Sequence, residues 1–371
     1  MSGREELRSP KRVVIKIGSS SLTGADATGL RSDAVDALVD VVATLKQSGS
    51  EVVIVSSGAI AAGLAPLGLT SRPKDLATQQ AAASVGQGLL VHRYTESLAR
   101  YSIVGSQVLL TIDDVVRRSH YQNAQRTLTK LLQLGVVPII NENDSVGTQE
   151  IRFGDNDRIA ALVSHLIGAD LLILLTDVDA LYDAPPSQVG AAAIYEVEDV
   201  TLLAGAEIGG AGSKVGSGGM VTKIEAARIA TGAGIPLLLT SLSNVARAIQ
   251  GERVGTLFKA VRERQPSRLL WLAHAATPHG KLHVDEGAAK ALLERGVSLL
   301  PAGVTKVLGD FSAGDTVEIV APDGYVIARG LVGFDSSEIP AMLGRSTKEL
   351  GRDLGPEFER ELVHRDDLVL L

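Results

Sequence analysis

Four short, mostly apolar runs each stop at a polar or glycine-bearing corner, and helical patterns separate them. The runs are Arg12–Ile17, Glu51–Val55, Val136–Ile140 and Leu171–Leu175. Short apolar runs of this kind, bounded by turn residues, read as strands buried on both faces. Such strands need helices on both sides of a parallel sheet. The helical spacing is clearest over Ser32–Gln47, where Val35, Leu38, Val39, Val42 and Leu45 share one face. Ser32 marks its start and Gly49 its end. Leu76–Arg100, Ala124–Leu134 and Val221–Ala233 also read as helices, and Val104–Leu110 and Pro236–Leu239 as extended chain. The alternation predicts an α/β fold, a mainly parallel sheet sandwiched by helices. In open sheets of this kind ligands bind beyond the carboxyl ends of the strands. The corners are therefore the places to look for chemistry.

The stretch from Gly135 to Ile159 changes character most sharply. Its apolar run gives way to Asn141-Glu142-Asn143-Asp144, and Asp155-Asn156-Asp157 follows just before a helical pattern that begins at Arg158. An EF-hand is excluded at either cluster. Such a loop needs Gly at its sixth position and Glu at its twelfth, and neither register supplies them. Taken alone, the second cluster reads equally well as a helix N-cap with acids near the positive end of the dipole.

The other corners add weight. Lys16-Ile17-Gly18-Ser19-Ser20 could bring backbone N–H groups and a lysine to a phosphate. It is neither a Walker A loop nor GxGxxG. Gly209, Gly210 and Gly212 lead into Gly216-Ser217-Gly218-Gly219-Met220-Val221-Thr222-Lys223, a glycine-rich loop opening a helix with lysine near its start. That arrangement suits a polyphosphate. Ser56-Ser57-Gly58 could hold a carboxylate or cap the next helix, but it is not a nucleophile elbow. Thr176-Asp177 ends the fourth run and could meet a nucleotide or simply terminate the strand.

From about Gln265-Pro266 the pattern changes to short extended segments with turns between them, and one helical patch at Glu286–Arg295. The expected division is an α/β domain over 1–262 and a small, mostly β domain over 268–371. The 371 residues carry a formal charge of −7, and the second part holds eleven Lys and Arg against sixteen Asp and Glu. RNA binding normally rests on a basic footprint, so this balance argues against a nucleic-acid role. No cysteine is present, so disulfides, thiolate metal sites and a Cys nucleophile are excluded. No apolar run approaches the ~20 residues that span a bilayer, and a cytoplasmic protein without membrane contact is expected.

Taken together, VVIKIGSS (13–20), VIVSSGAIAAG (53–63), VPIINENDSV (137–146), FGDND (153–157), LLTDVDALY (174–182) and GSGGMVTK (216–223) resemble the amino acid kinase family. The tail, with VDEGA (284–288), GVSLLPAGV (296–304) and GDFSAGDTV (309–317), resembles a PUA domain, a module also found in RNA-modifying proteins. Within the family, the SSGAIAAG loop resembles the branch that phosphorylates the side-chain carboxylate of L-glutamate with ATP and Mg2+, opening proline biosynthesis. The resemblance implies that Lys16 and Lys223 stabilise the transferring phosphoryl group and that Asp157 orients them. It implies that Ser57, Asp144 and Asn156 bind glutamate, Asp144 through the ammonium group. It implies that Lys16, Thr176, Asp177 and the segment Ser217, Gly218, Gly219, Met220, Val221, Thr222 and Lys223 hold ATP, with no protein metal ligand assigned. It further implies a homodimer or homotetramer inhibited by proline, and Asn143–Phe153 is long and polar enough to be the segment that senses it. Two other readings compete: an RNA-binding protein acting through its tail, and a kinase of the same family acting on aspartate or acetylglutamate.

Overall fold

The structure, a computed structural model, describes residues 4–23, 29–111, 114–115, 118–145, 155–203, 217–260 and 278–371. The chain divides into two units, residues 1–264 and 265–371. The boundary expected between 262 and 268, the glycines at 209, 210, 212 and 216, and most of the 143–153 segment lie outside the described residues.

In the first unit, strands β1 (Arg12–Ile17), β2 (Glu51–Ser56), β3 (Gly105–Leu110), β4 (Val137–Glu142) and β5 (Leu171–Thr176) are joined by the expected helical crossovers. Three small strands follow, β6 (Leu181–Tyr182), β7 (Ala193–Ile194) and β8 (Glu196–Val197), and then β9 (Leu237–Ser241) and β10 (Thr256–Phe258). The large sheet has the order β3-β4-β2-β1-β5-β9-β10-β8. Every pairing in it is parallel except β9 with β10. All six residues of β5 are buried, and β1 and β2 are buried beyond their first residue. Central strands covered on both faces have no solvent side for polar residues to occupy, hence the unbroken apolar runs.

The helices are α1 (Ser19–Leu22), α2 (Ser32–Gln47), α3 (Ala59–Leu64), α4 (Leu76–Ala99), α5 (Arg118–Gln133), α6 (Asp155–Leu166), α7 (Ser217–Gly232) and α8 (Val245–Ile249). Helix α2 buries Val35, Leu38, Val39, Val42 and Leu45, the stripe its spacing predicted, against the sheet. Helices α3 and α4 approach backbone to backbone. A Cβ built on Gly63 would lie 2.0 Å from the carbonyl oxygen of Ala82, and one on Gly86 would lie 1.8 Å from that of Ala59. Only glycine permits that approach.

Four boundaries differ from the sequence expectation in ways that matter. Strand β4 runs on through Asn141 and Glu142, which lie beyond the apolar run that ends at Ile140. Helix α6 starts at Asp155 rather than Arg158, so the acidic triplet is its first turn and not a cap before it. Helix α7 starts at Ser217 rather than Val221, which draws Gly218 and Gly219 into the helix. Helix α5 begins six residues ahead of Ala124, because its first turns are polar and carry no apolar spacing.

The second unit is a five-stranded sheet of order β12-β11-β13-β14-β15. Its strands are β11 (Gly280–Val284), β12 (Val304–Gly309), β13 (Thr316–Val320), β14 (Val326–Leu331) and β15 (Leu368–Leu370). Three of its four pairings are antiparallel, and β11 with β13 is parallel. It has its own core, including Leu282, Leu292, Val317, Ile319, Phe334 and Val363. Helix α9 (Glu286–Arg295) supplies Leu292, with Asp285 capping it by accepting from the Ala288 N–H, and α10 (Thr347–Asp353) supplies Leu350 through a complete capping box at Ser346 and Glu349.

Candidate active site

Strands β1, β2, β4 and β5 are parallel neighbours in one sheet, so their carboxyl ends share one edge. Lys16, Ser56-Ser57, Asn141 and Thr176-Asp177 are carried to that edge by chain direction alone. Helix α6 then adds Asn156 and Asp157 from its first turn.

Asp157 joins two lysines from elements far apart in sequence, β1 and α7. Its Oδ1 lies 2.5 Å from Lys16 Nζ and its Oδ2 lies 3.3 Å from Lys223 Nζ. The Thr222 hydroxyl donates to the same Oδ2 at 2.9 Å. Lys16 and Asp157 are only 5% and 1% exposed. Burial alone would push the Asp157 carboxyl up, but the two lysines and the Thr222 hydroxyl outweigh it and hold the group below its ordinary value. Burial pulls the Lys16 ammonium below its ordinary value. Asp157 opposes that shift, and the like charge of Lys223 adds to it. The arrangement keeps two cations together at a net charge of +1, with one carboxylate oxygen for each. Loss of one partner from a buried ion pair costs ~3–5 kcal/mol, so the carboxylate is what makes this concentration of positive charge tolerable.

Space beside the cations is kept open by glycine. A Cβ on Gly18 would sit 3.7 Å from Lys16 Nζ, and one on Gly219 would sit 3.6 Å from Lys223 Nζ. Lys223 also donates to the Gly219 carbonyl at 3.0 Å, which folds its head back over the first turn of α7. Two lysine heads, each beside bare backbone, next to a helix N-terminus form a cradle that fits phosphate oxygens. Among the described residues no group of three or more His, Cys, Asp or Glu side chains could hold a metal ion.

One residue before Asp157, the side chain of Asn156 enters a second cluster. Its Nδ2 donates to Ser57 Oγ at 3.1 Å and to Asn141 Oδ1 at 3.0 Å. Asn141 in turn donates from Nδ2 to Gln87 Oε1 on α4 at 2.8 Å. The Ser57 N–H donates to the Ile17 carbonyl at 3.1 Å, which ties this corner to the end of β1. Gly58 follows at φ 104°, a left-handed turn that glycine adopts without strain. Ser56 points the other way, to the Tyr94 hydroxyl at 2.9 Å, and burial pushes the Tyr94 phenol well above its usual range.

Of the residues singled out from the sequence, Lys16, Asp157, Thr222 and Lys223 form one cluster and Ser57 and Asn156 another. Asp144 lies in the turn after β4. Burial lowers the Arg72 guanidinium, and the nearby Asp144 carboxylate draws it back up. Thr176 and Asp177 bond to each other, hydroxyl to carboxylate, at 2.9 Å at the end of β5. Ser217 to Lys223 form the first two turns of α7. Two participants carry no signal: Gln87, a lone amide on a helical pattern, and Arg72, in the connection before α4; Asn141 stands in the polar cluster that the sequence marks, with no role assigned to it.

The profile of the amino acid kinase family matches residues 11–241, and that of the PUA domain matches 280–354. The glutamate 5-kinase of Streptomyces coelicolor is 60% identical over 369 residues, covering 99% of this chain and 98% of that protein. Those of Streptomyces avermitilis and Salinispora arenicola are also 60% identical, covering 100% and 99% of this chain and 99% and 100% of their own lengths. The chain belongs to the amino acid kinase family, in the group that its glutamate 5-kinase relatives form.

Proposed function

We propose that this protein transfers the γ-phosphoryl group of ATP to the side-chain carboxylate of L-glutamate, giving L-glutamyl 5-phosphate, the first step of proline biosynthesis. One observation carries the reading. Asn156 and Asp157 are consecutive on α6, yet Asn156 belongs to the amide cluster and Asp157 to the lysine cluster. One helical turn therefore sets an acceptor site beside a phosphate cradle.

In the reaction one oxygen of the glutamate side chain forms a bond to the γ-phosphorus, and the bond from that phosphorus to the bridging oxygen of ADP breaks. The attacking carboxylate is already ionised near neutral pH, so no proton has to move and no general base is required. What remains for the protein is alignment and neutralisation of charge on the moving group. Lys16 and Lys223 supply that charge, and Asp157 holds the two heads apart and aimed. Ser57, Asn156 and Asp144 bind glutamate. The first two turns of α7, from Ser217 through Gly218, Gly219, Met220, Val221 and Thr222, hold the nucleotide phosphates together with Thr176-Asp177 at the end of β5. No residue is assigned to magnesium, which would be held mainly by the nucleotide's phosphate oxygens and would supply shielding of their charge. Proline as a competing inhibitor, a dimer or tetramer built through the first unit, a cytoplasmic location and no nucleic-acid partner belong to the same reading, on the family resemblance and the acidic balance of the second unit.

The test is ADP release with ATP and magnesium, comparing glutamate, aspartate, N-acetylglutamate and no acceptor, each with and without proline. Hydroxylamine traps the acyl phosphate as its hydroxamate. Glutamate-dependent release with hydroxamate formation is expected, suppressed by proline. Equal release with every acceptor would overturn the assignment.

The alkaline limb of the rate profile follows from the buried lysine. Lys16 acts as a cation, so activity is present below its pKa and lost above it. Its pKa is depressed, so kcat is expected to fall at a pH below the ordinary lysine value of 10.5. The sign for stability is opposite: a depressed lysine disfavours the folded state at low pH, and this penalty is relieved as pH rises from the folded pKa to 10.5. Loss of kcat without loss of melting temperature over that window is the expected result. A limb at or above the ordinary lysine value would contradict it.

A further inference from the structure

The amide chain behind Ser57 has one polarity. The backbone N–H of Glu142 donates to Asn141 at 2.9 Å. A peptide N–H can only donate, so the Asn141 atom facing it is oxygen and its amino group faces the other way, to Gln87 Oε1 at 2.8 Å. The same Asn141 oxygen faces Asn156 at 3.0 Å, so Asn156 must present its amino group there. That amino group also reaches Ser57 Oγ, which accepts at 3.1 Å. The Ser57 hydroxyl proton is thereby left to donate elsewhere. Asn156 Oδ1 is left buried with no hydrogen-bond partner among the described residues.

An orphaned buried acceptor beside a hydroxyl with a proton to give is an arrangement that folding alone does not favour. It complements a ligand that carries a donor next to an acceptor, as an α-amino acid carries its ammonium next to its carboxylate. We propose that Gln87 is a positioning residue for recognition of the substrate ammonium: by accepting from Asn141 Nδ2 it closes the far end of the chain and keeps Asn156 Oδ1 turned toward the ligand. Glu142 N–H sets the sense of the chain and Gln87 holds it from the opposite end. Without the Gln87 oxygen, the buried Asn141 amino group loses its acceptor, and Asn141 and Asn156 are free to swing. The role rests on glutamate being the acceptor substrate, as proposed above.

The experiment uses the full-length protein and compares KM for L-glutamate, the inhibition constant of glutarate (the same chain without the ammonium) and KM for ATP. The variants are Gln87→Met, which keeps the bulk and removes the acceptor, and Gln87→Glu, which keeps an acceptor oxygen and removes the amino group. Gln87→Met is expected to raise KM for glutamate about tenfold, the scale of a weakened hydrogen bond to a charged group. Glutarate inhibition and KM for ATP should stay within about twofold. Gln87→Glu should recover most of the glutamate affinity. Equal weakening of glutamate and glutarate by Gln87→Met would overturn the proposal, because a packing role predicts it. If the Met variant does not fold, Gln87→Glu decides alone: glutamate affinity near wild type supports the role, and a tenfold loss overturns it. Wild-type turnover of glutamate is the control. Its absence would overturn both this role and the proposed function, whereas unchanged discrimination in an active enzyme overturns this role only.

Discussion

Replacing Lys223 with alanine is expected to lower kcat by about 10²–10³-fold, the scale seen when one preorganised charge or donor is removed from a developing oxyanion. The fold should survive. Lys223 reaches only one oxygen of Asp157, and the other remains paired to Lys16 at 2.5 Å, so the variant leaves a neutral buried pair and no stranded carboxylate. The loss is in the net charge of the triad, which falls from +1 to zero just where the phosphoryl group must pass. Ground-state binding of glutamate depends on the neighbouring amide cluster, so its KM should change by less than about threefold, whereas a stabilising role confined to the transition state appears in kcat. Asp157→Asn acts differently. That change would leave two ammonium groups facing each other in a buried site, with a folding cost of ~3–5 kcal/mol, and would confuse stability with catalysis. Steady-state kinetics and a thermal melt on Lys223→Ala check the prediction. A kcat within about fivefold of wild type in a folded protein would mean that Lys223 does not neutralise the moving group.

The α/β class was legible because its signal is local. Strands β1, β2 and β5 are buried on both faces, so their apolar character is unbroken and their ends are abrupt. Lys16, Asp157 and Lys223 could be singled out for a similar reason: Lys16 and Asp157 sit at or just beyond a strand-to-helix corner and Lys223 follows a glycine-rich run into a helix, although 66 residues separate Asp157 from Lys223. What escaped the sequence reading is what depends on partners. Asn141 and Glu142 look like turn residues, yet they continue β4 because Asn141 is satisfied inside the fold by Gln87 and Asn156. Gln87 lies 54 residues from Asn141 and has no motif around it. The glycines before Lys223 suggest a loop, since glycine disfavours helix, but α7 begins among them, where bare backbone can approach a ligand. Strand β10 is three residues long, too short for any period, and its antiparallel pairing with β9 could not be foreseen.

Gly86→Ala is expected to destabilise the first unit by about 3 kcal/mol, near the upper end for overpacking, and to lower the melting temperature by ~6–12 °C. The added Cβ would fall 1.8 Å from the Ala59 carbonyl oxygen and 2.4 Å from the Gly63 nitrogen. Both are backbone atoms of α3, so no side chain can rotate aside, and the two helices must separate. The consequence reaches the site. Helix α3 begins at Ala59, two residues after Ser57, with only the left-handed Gly58 between them. Pushing α3 off α4 therefore displaces Ser57 relative to Asn156, and KM for glutamate should rise along with the loss of stability, while the lysine cluster on β1, α6 and α7 stays intact. Gly88→Ala on the same helix is the control. A Cβ at Gly88 meets nothing within 4 Å, so it should leave activity unchanged and stabilise the helix by ~0.5–1 kcal/mol through lost chain entropy alone. The paired melts separate close packing from helix propensity. If Gly86→Ala and Gly88→Ala melt alike, α3 and α4 do not meet backbone to backbone, and the link from that contact to Ser57 fails with it.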